Sequence, residues 1–270
     1  MARVIVITSG KGGVGKTTTT SNIGMSLARL GYPTLLIDAD VGLRNLDLLL
    51  GLENRIIYTG LDVLNKTCRL EQAIIKDKRQ PELGFFPLSS NRVEIQITSE
   101  QIKELIQLVK PNYEYILIDS PAGIDNGFLT AIECANEAVV VVTPEVPSIR
   151  DADRVIGILM SKGVEKINLI INRIRPTMVR TDDMMSIEDV TNILGITLAG
   201  VIPDSEKIIV ASNRGEPIVL EDKNCLPGLA FDNTARRLSG EEVEFLNLDS
   251  LNGKNPVKRI IRKLINRSNS

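Results

Sequence analysis

The chain alternates between short, wholly aliphatic runs and longer amphipathic stretches. Val4-Ile5-Val6-Ile7, Thr34-Leu35-Leu36-Ile37, Tyr115-Ile116-Leu117-Ile118, Ala138-Val139-Val140-Val141-Val142, Ile167-Asn168-Leu169-Ile170-Ile171 and Ala199-Gly200-Val201-Ile202 are strand-length and rich in β-branched residues. Such runs predict strands buried on both faces. Gly84-Phe85-Phe86-Pro87-Leu88 reads as a shorter strand. Between them, apolar residues recur at helical spacing. Ile23, Leu27 and Leu30 share one side of a segment closed by Gly31 and Pro33. Thr98 and Gln101 form a capping-box pattern ahead of Ile102, Leu105, Ile106 and Val109. Residues 61–77 predict two short helical pieces, and 127–136 and 228–238 one helix each. Ser148 is read as the cap of a helix carrying Val155, Ile156 and Leu159, and Ser186 opens another that Gly195 stops. Aliphatic strands alternating with helices predict an α/β fold: a doubly wound, mostly parallel sheet with helices on both faces, like a P-loop NTPase. No internal repeat interrupts it.

The pattern changes near residue 239, so the chain divides into a body (1–238), a linker (239–255) and a terminal segment (256–270). The linker is polar, acidic and Gly/Asn-bearing. In the terminal segment Val257, Ile260, Ile261, Leu264 and Ile265 fall at i, i+3, i+4, i+7 and i+8. Lys258, Arg259, Arg262, Lys263 and Arg267 take the remaining positions, and Pro256 suits the first helical position. This is the signature of an amphipathic helix lying in an anionic membrane interface. The competing reading is a terminal helix packed on its own body, which the basic density and the linker disfavour.

Composition narrows the chemistry. The chain has 270 residues and a net charge of −2, so a basic partner surface has to be local. Aromatic residues make up 3 % with no Trp, a poor stacking platform for single strands. There is no histidine, which removes imidazole triads and His metal sites. Cys68, Cys134 and Cys225 lie far apart, which argues against zinc or iron–sulfur ligation and fits a reducing compartment. The first strand begins at about residue 3, so no signal or transit peptide is expected. Ile is abundant and Ala sparse, a weak hint of an AT-rich organelle genome.

The candidate chemistry begins at Gly10-Lys11-Gly12-Gly13-Val14-Gly15-Lys16-Thr17-Thr18, which fits G-x-x-x-x-G-K-[ST]. Strand, glycine loop and helix start follow in the order that turns successive backbone N–H groups toward an anion. Lys16 is placed to reach β/γ-phosphates and Thr17 to ligate Mg²⁺. Asp38 and Asp40, Asp119, Asn172 and Asp204 close four of the other strands. Ligands of such sheets bind outside the C-terminal strand ends. One polar residue there would be unremarkable, but four strand ends in company with a phosphate loop point to a nucleotide site.

Lys11, one residue into the loop, has no role in a simple phosphate loop. With it the sequence resembles the deviant Walker A ATPases, the ParA/MinD family, and within them the septum site-determining members. The resemblance covers nearly the whole chain. It rests on 8–18, on Asp38-Ala39-Asp40-Val41-Gly42-Leu43-Arg44-Asn45-Leu46-Asp47, on Asp119-Ser120-Pro121-Ala122-Gly123, on Pro144-Glu145-Val146, on Arg150-Asp151-Ala152-Asp153-Arg154, on Gly200-Val201-Ile202-Pro203 and on the basic end. It implies an ATP hydrolase working as a homodimer around two ATP molecules with Mg²⁺. Lys11 would cross to the partner's phosphates, Asp40 would orient the attacking water, and Thr17, Asp38 and Asp119 would serve the metal. Gly123 would offer its N–H to the γ-phosphate, and Asn172, Pro203 and Asp204 would contact adenine. Arg44, Asn45, Arg150, Asp151 and Asp153 match stretches linked to dimer and partner contacts. The implied partners are a MinC-like division inhibitor, a MinE-like activator and an anionic membrane. The implied location is the cytoplasm and the inner face of the cell membrane, or the plastid stroma and inner envelope if organelle-encoded. The nearest rival is a ParA-type DNA-partition ATPase, which would carry its basic patch on the folded body.

Overall fold

The aliphatic runs pair into one eight-stranded sheet. The structure, a computed structural model, describes residues 2–40, 44–89, 97–221 and 225–247. The strands are β1 (Arg3–Thr8), β2 (Thr34–Asp38), β3 (Ile75–Lys76), β4 (Leu83–Pro87), β5 (Tyr115–Asp119), β6 (Glu137–Val142), β7 (Lys166–Ile174) and β8 (Thr197–Pro203). Their order is β3-β4-β2-β5-β1-β6-β7-β8, and every pair is parallel except the β3–β4 edge. The sheet is buried on both sides, which is why its strands read as unbroken aliphatic runs. Period two then sorts them. Val4 and Val6 join the core under α5 (Ser99–Val109), α6 (Asn126–Ile132), α7 (Val146–Ser161) and α9 (Ile187–Leu194). Ile5 and Ile7 join the opposite core under α1 (Lys16–Arg29), α2 (Leu46–Leu50) and α11 (Leu226–Ser239).

Several local expectations are corrected. Helix α7 starts at Val146, with Glu145 as its N-cap, so Ser148 lies inside the helix. Its hydroxyl accepts from the Thr143 N–H at 3.1 Å instead, tying the helix to the end of β6. Pro147 is the cause, since proline fits the first turn and starts the helix ahead of the serine. The 61–77 stretch holds α3 (Gly60–Leu64) and α4 (Leu70–Ala73), but ends as β3, whose two residues pair only with β4. Short α8 (Pro176–Arg180) and α10 (Glu206–Asn213) carry no strong apolar period and escaped the sequence pattern. The body also runs past 238. Gly240 closes α11 in the left-handed conformation, and Arg237 holds the next residues, donating to the Val243 and Glu244 carbonyls at 2.7 and 2.8 Å and lying over the Phe245 ring. The terminal segment 256–270, with its predicted amphipathic helix, lies outside the described residues. No helix among the described residues is long and apolar enough to cross a membrane.

Candidate active site

Parallel pairing brings the strand-end carboxylates together. β2 and β5 run in register, so Asp38 stands beside Asp119, and β5 pairs with β1 so that Asp119 stands beside Ile7, next to the loop. The loop leaves β1 at Thr8 and enters α1 at Lys16. Gly15 caps α1 at φ 96°, with no side-chain cap and no acidic residue in the first turn. The open N–H groups and the helix dipole are thus left to an anion. Lys16 is 9 % exposed and lies beside Asp119.

Two glycines are needed by their neighbours. A Cβ at Gly10 would fall on the backbone and Cβ of Asp151 in α7. A Cβ at Gly15 would fall on the Asn172 side-chain amide at the end of β7. The loop is therefore gripped from two sides, and its shape depends on both.

Asp119 is 2 % exposed and accepts from Thr20 Oγ1 at 2.8 Å, with Thr17 also bonded to it. Burial raises its pKa to about 6, against the pull of Lys16 and the two threonines. Asp38 accepts from the N–H groups of Asp40 and Leu46 at 3.0 and 3.3 Å. Burial, then the nearby Asp119 charge, push its pKa well up. Two buried carboxylates that resist ionisation together favour a cation between them. The donors are all oxygen, which suits a hard ion such as Mg²⁺. Among the described residues no group of three or more acidic, Cys or His side chains could hold a metal alone. An ion here would therefore complete its shell from a bound phosphate and water.

The other sequence-selected residues are placed as follows. Lys11 Nζ lies 3.1 Å from Glu145 of its own subunit, both side chains partly exposed. The Gly123 N–H, at φ 89°, donates to the Ser9 carbonyl at 3.2 Å. Asp204 accepts from Arg175 Nε at 2.7 Å, and Asn172 lies against the loop. Arg44 is held within the subunit by Asp47 at 2.8 Å and by the Ser89 carbonyl at 3.0 Å, because the buried Asp47 needs a counter-charge. Arg150 and Asp153 are exposed on α7. Sequence reasoning missed one contributor, Thr20, and gave another, Glu145 of the Pro144-Glu145-Val146 stretch, no role. Thr20 lies three residues after Thr17 on the same face of α1, a spacing that could have revealed it. Glu145 follows the end of β6 as Asp38 and Asp119 close theirs.

Residues 5–218 match the family model described as the CobQ/CobB/MinD/ParA nucleotide binding domain. Along 268 residues the chain is 66 % identical to a MinD-type septum site-determining protein of Emiliania huxleyi, covering 99 % of this chain and 98 % of that one. The chain belongs to the MinD family. Solved MinD structures agree with the fold. The MinC:MinD cell division protein complex of Aquifex aeolicus matches with a TM-score of 0.84 and 50 % identity, covering 91 % of this chain and 99 % of that one. The Pyrococcus horikoshii septum site-determining MinD, solved with Mg-ADP, matches with a TM-score of 0.81 and 29 % identity, covering 89 % and 97 %. As a MinD-family member, this chain is a nucleotide-binding ATPase of division-site placement.

Proposed function

We propose that the chain is a Mg²⁺-dependent ATP hydrolase that dimerises on ATP, attaches to an anionic membrane and recruits a MinC-like division inhibitor. Hydrolysis, stimulated by a MinE-like activator, releases it. The observation that carries this reading is the meeting of the uncapped glycine loop with the Asp38–Asp119 pair across adjacent strand ends. The Aquifex complex supports the inhibitor, and the Pyrococcus structure supports the nucleotide and metal.

The roles are those the resemblance implies, and the geometry of the loop and the strand ends supports them. Loop amides and Lys16 receive the phosphates. Thr17, Asp38 and Asp119 serve Mg²⁺, which when bound neutralises phosphate charge. Asp40 orients the attacking water, and Pro203 and Asp204 border the base. The Gly123 N–H, now on Ser9, would exchange that carbonyl for a γ-phosphate oxygen, so the segment after β5 senses hydrolysis. Lys11 would leave Glu145 for the partner subunit's phosphates, a lysine used as an arginine finger.

The segment 256–270 supplies the membrane step. Each aliphatic side chain contributes at most about 1.5–3 kcal/mol, and each basic residue about 1 kcal/mol near anionic lipid. About a dozen residues form a marginal helix when free, so one segment binds reversibly. Two on a dimer gain about 10²–10⁴-fold by avidity. The test is co-sedimentation of the protein with anionic liposomes in ATP or ADP, with and without residues 256–270. ATP-selective recruitment that vanishes on truncation is expected. Equal binding in both nucleotides refutes the switch.

A further inference from the structure

The resemblance assigns Asn172 to the adenine base, but one of its two amide N–H groups is already committed to the phosphate loop. Asn172 is 4 % exposed at the end of β7. Its Nδ2 donates to the Val14 carbonyl at 2.8 Å, and its Oδ1 accepts from the Arg173 N–H at 3.0 Å. Arg173 is a non-glycine residue at φ 58°, where the β7–β8 register is broken between Ile171 and Ile174. That bulge turns the chain so that the amide reaches the loop.

The contact has a directional consequence. In a trans peptide unit the C=O and the following N–H point in opposite directions. Drawing the Val14 carbonyl outward to Asn172 therefore turns the Gly15 N–H inward, toward the centre of the loop. Gly15 has no Cβ to obstruct the approach, and one there would collide with the same Asn172 amide. Val14 is itself buried, so the carbonyl would have poor access to water if Asn172 were lost.

We propose that Asn172 is a positioning residue for the phosphate loop: it holds the Val14–Gly15 peptide with its N–H turned toward the bound polyphosphate, whatever base that carries. This rests on the reading of 10–18 as a nucleotide phosphate site. It makes Asn172 important for a ligand without a base.

The experiment measures binding of ATP, GTP and inorganic tripolyphosphate, each with Mg²⁺, to the full chain by calorimetry. Wild type, Asn172→Ala and Asn172→Asp are compared, with thermal melts reporting folding. Loss of one neutral hydrogen bond predicts a roughly tenfold weakening of all three ligands in Asn172→Ala. Asn172→Asp, which sets a carboxylate against the Val14 carbonyl, should weaken them further. Unchanged tripolyphosphate affinity in a folded variant, or a loss confined to ATP, overturns the proposal. If the variants do not fold, the wild-type Asn172 side-chain amide is followed by NMR. Perturbation by tripolyphosphate supports the proposal, and perturbation by ATP alone overturns it. Wild type that binds none of the three ligands overturns the nucleotide-site reading itself, a result distinct from failure of the Asn172 role.

Discussion

Removing Lys11 should separate folding from catalysis. Its ammonium pairs with Glu145 at 3.1 Å, and the two side chains are 34 % and 54 % exposed. An ion pair so open to water contributes about 0.2–1 kcal/mol. Lys11→Ala should therefore lower the melting temperature by less than about 4 °C. ATP binding should persist, because Lys16 and the loop amides remain. Turnover, by contrast, should fall about 10³–10⁵-fold if Lys11 neutralises charge on the partner's phosphates. The decisive assay is phosphate release from mixed subunits. Lys11→Ala and Asp40→Ala should each be inactive alone. Mixed, each heterodimer regains one complete site, made of Asp40 from the Lys11→Ala subunit and Lys11 from the other. Random pairing makes half the dimers mixed, so about a quarter of wild-type turnover returns. No recovery on mixing would refute action across the interface. Unchanged turnover in Lys11→Ala alone would refute any catalytic role.

Two further predictions concern the scaffold of the site. Gly10→Ala drives a Cβ into the Asp151 backbone and should cost about 1–3 kcal/mol and nucleotide binding. Gly157→Ala in α7, where a Cβ meets nothing within 4 Å, should instead keep or slightly raise the melting temperature, and equal behaviour of the two in a thermal melt would contradict the packing argument. At the other end of the sheet, burial raises the Glu137 pKa, but Arg3, bonded to it at 2.7 and 2.6 Å, and Lys166 outweigh burial and hold it below its usual value. A depressed carboxylate stabilises the fold above its unfolded pKa and loses that contribution as pH falls through the folded pKa. Wild type should therefore lose stability on acidification below about 4.5, and Arg3→Ala should flatten that part of the urea-midpoint profile.

Much of the site could be read before any fold was known because its signals are local. The glycine loop carries its strand before and its helix after, and Asp38 and Asp119 each close an aliphatic run. Residues acting through a distant neighbour gave weaker signals. Asn172 read as a strand-end polar residue, but nothing local says that its amide meets Val14, 158 positions earlier. Asp151 read as part of a dimer or partner stretch, and only the packing of α7 shows that it bounds Gly10. Ser148 was misread because Pro147 starts the helix earlier than the hydroxyl suggests.

By itself the sequence determined the fold class, the phosphate loop with its extra lysine and the acidic strand ends. Hydrophobic period, glycine requirement and charge placement are properties of neighbouring residues. The tertiary structure decided strand order, and with it everything that depends on adjacency. Parallel pairing of β2 with β5 puts Asp38 beside Asp119, where burial sets their charge and favours a cation. The meeting of β7 and α7 at the loop fixes which way its peptides face. Those contacts join segments far apart in the chain, and only the assembled sheet brings them together.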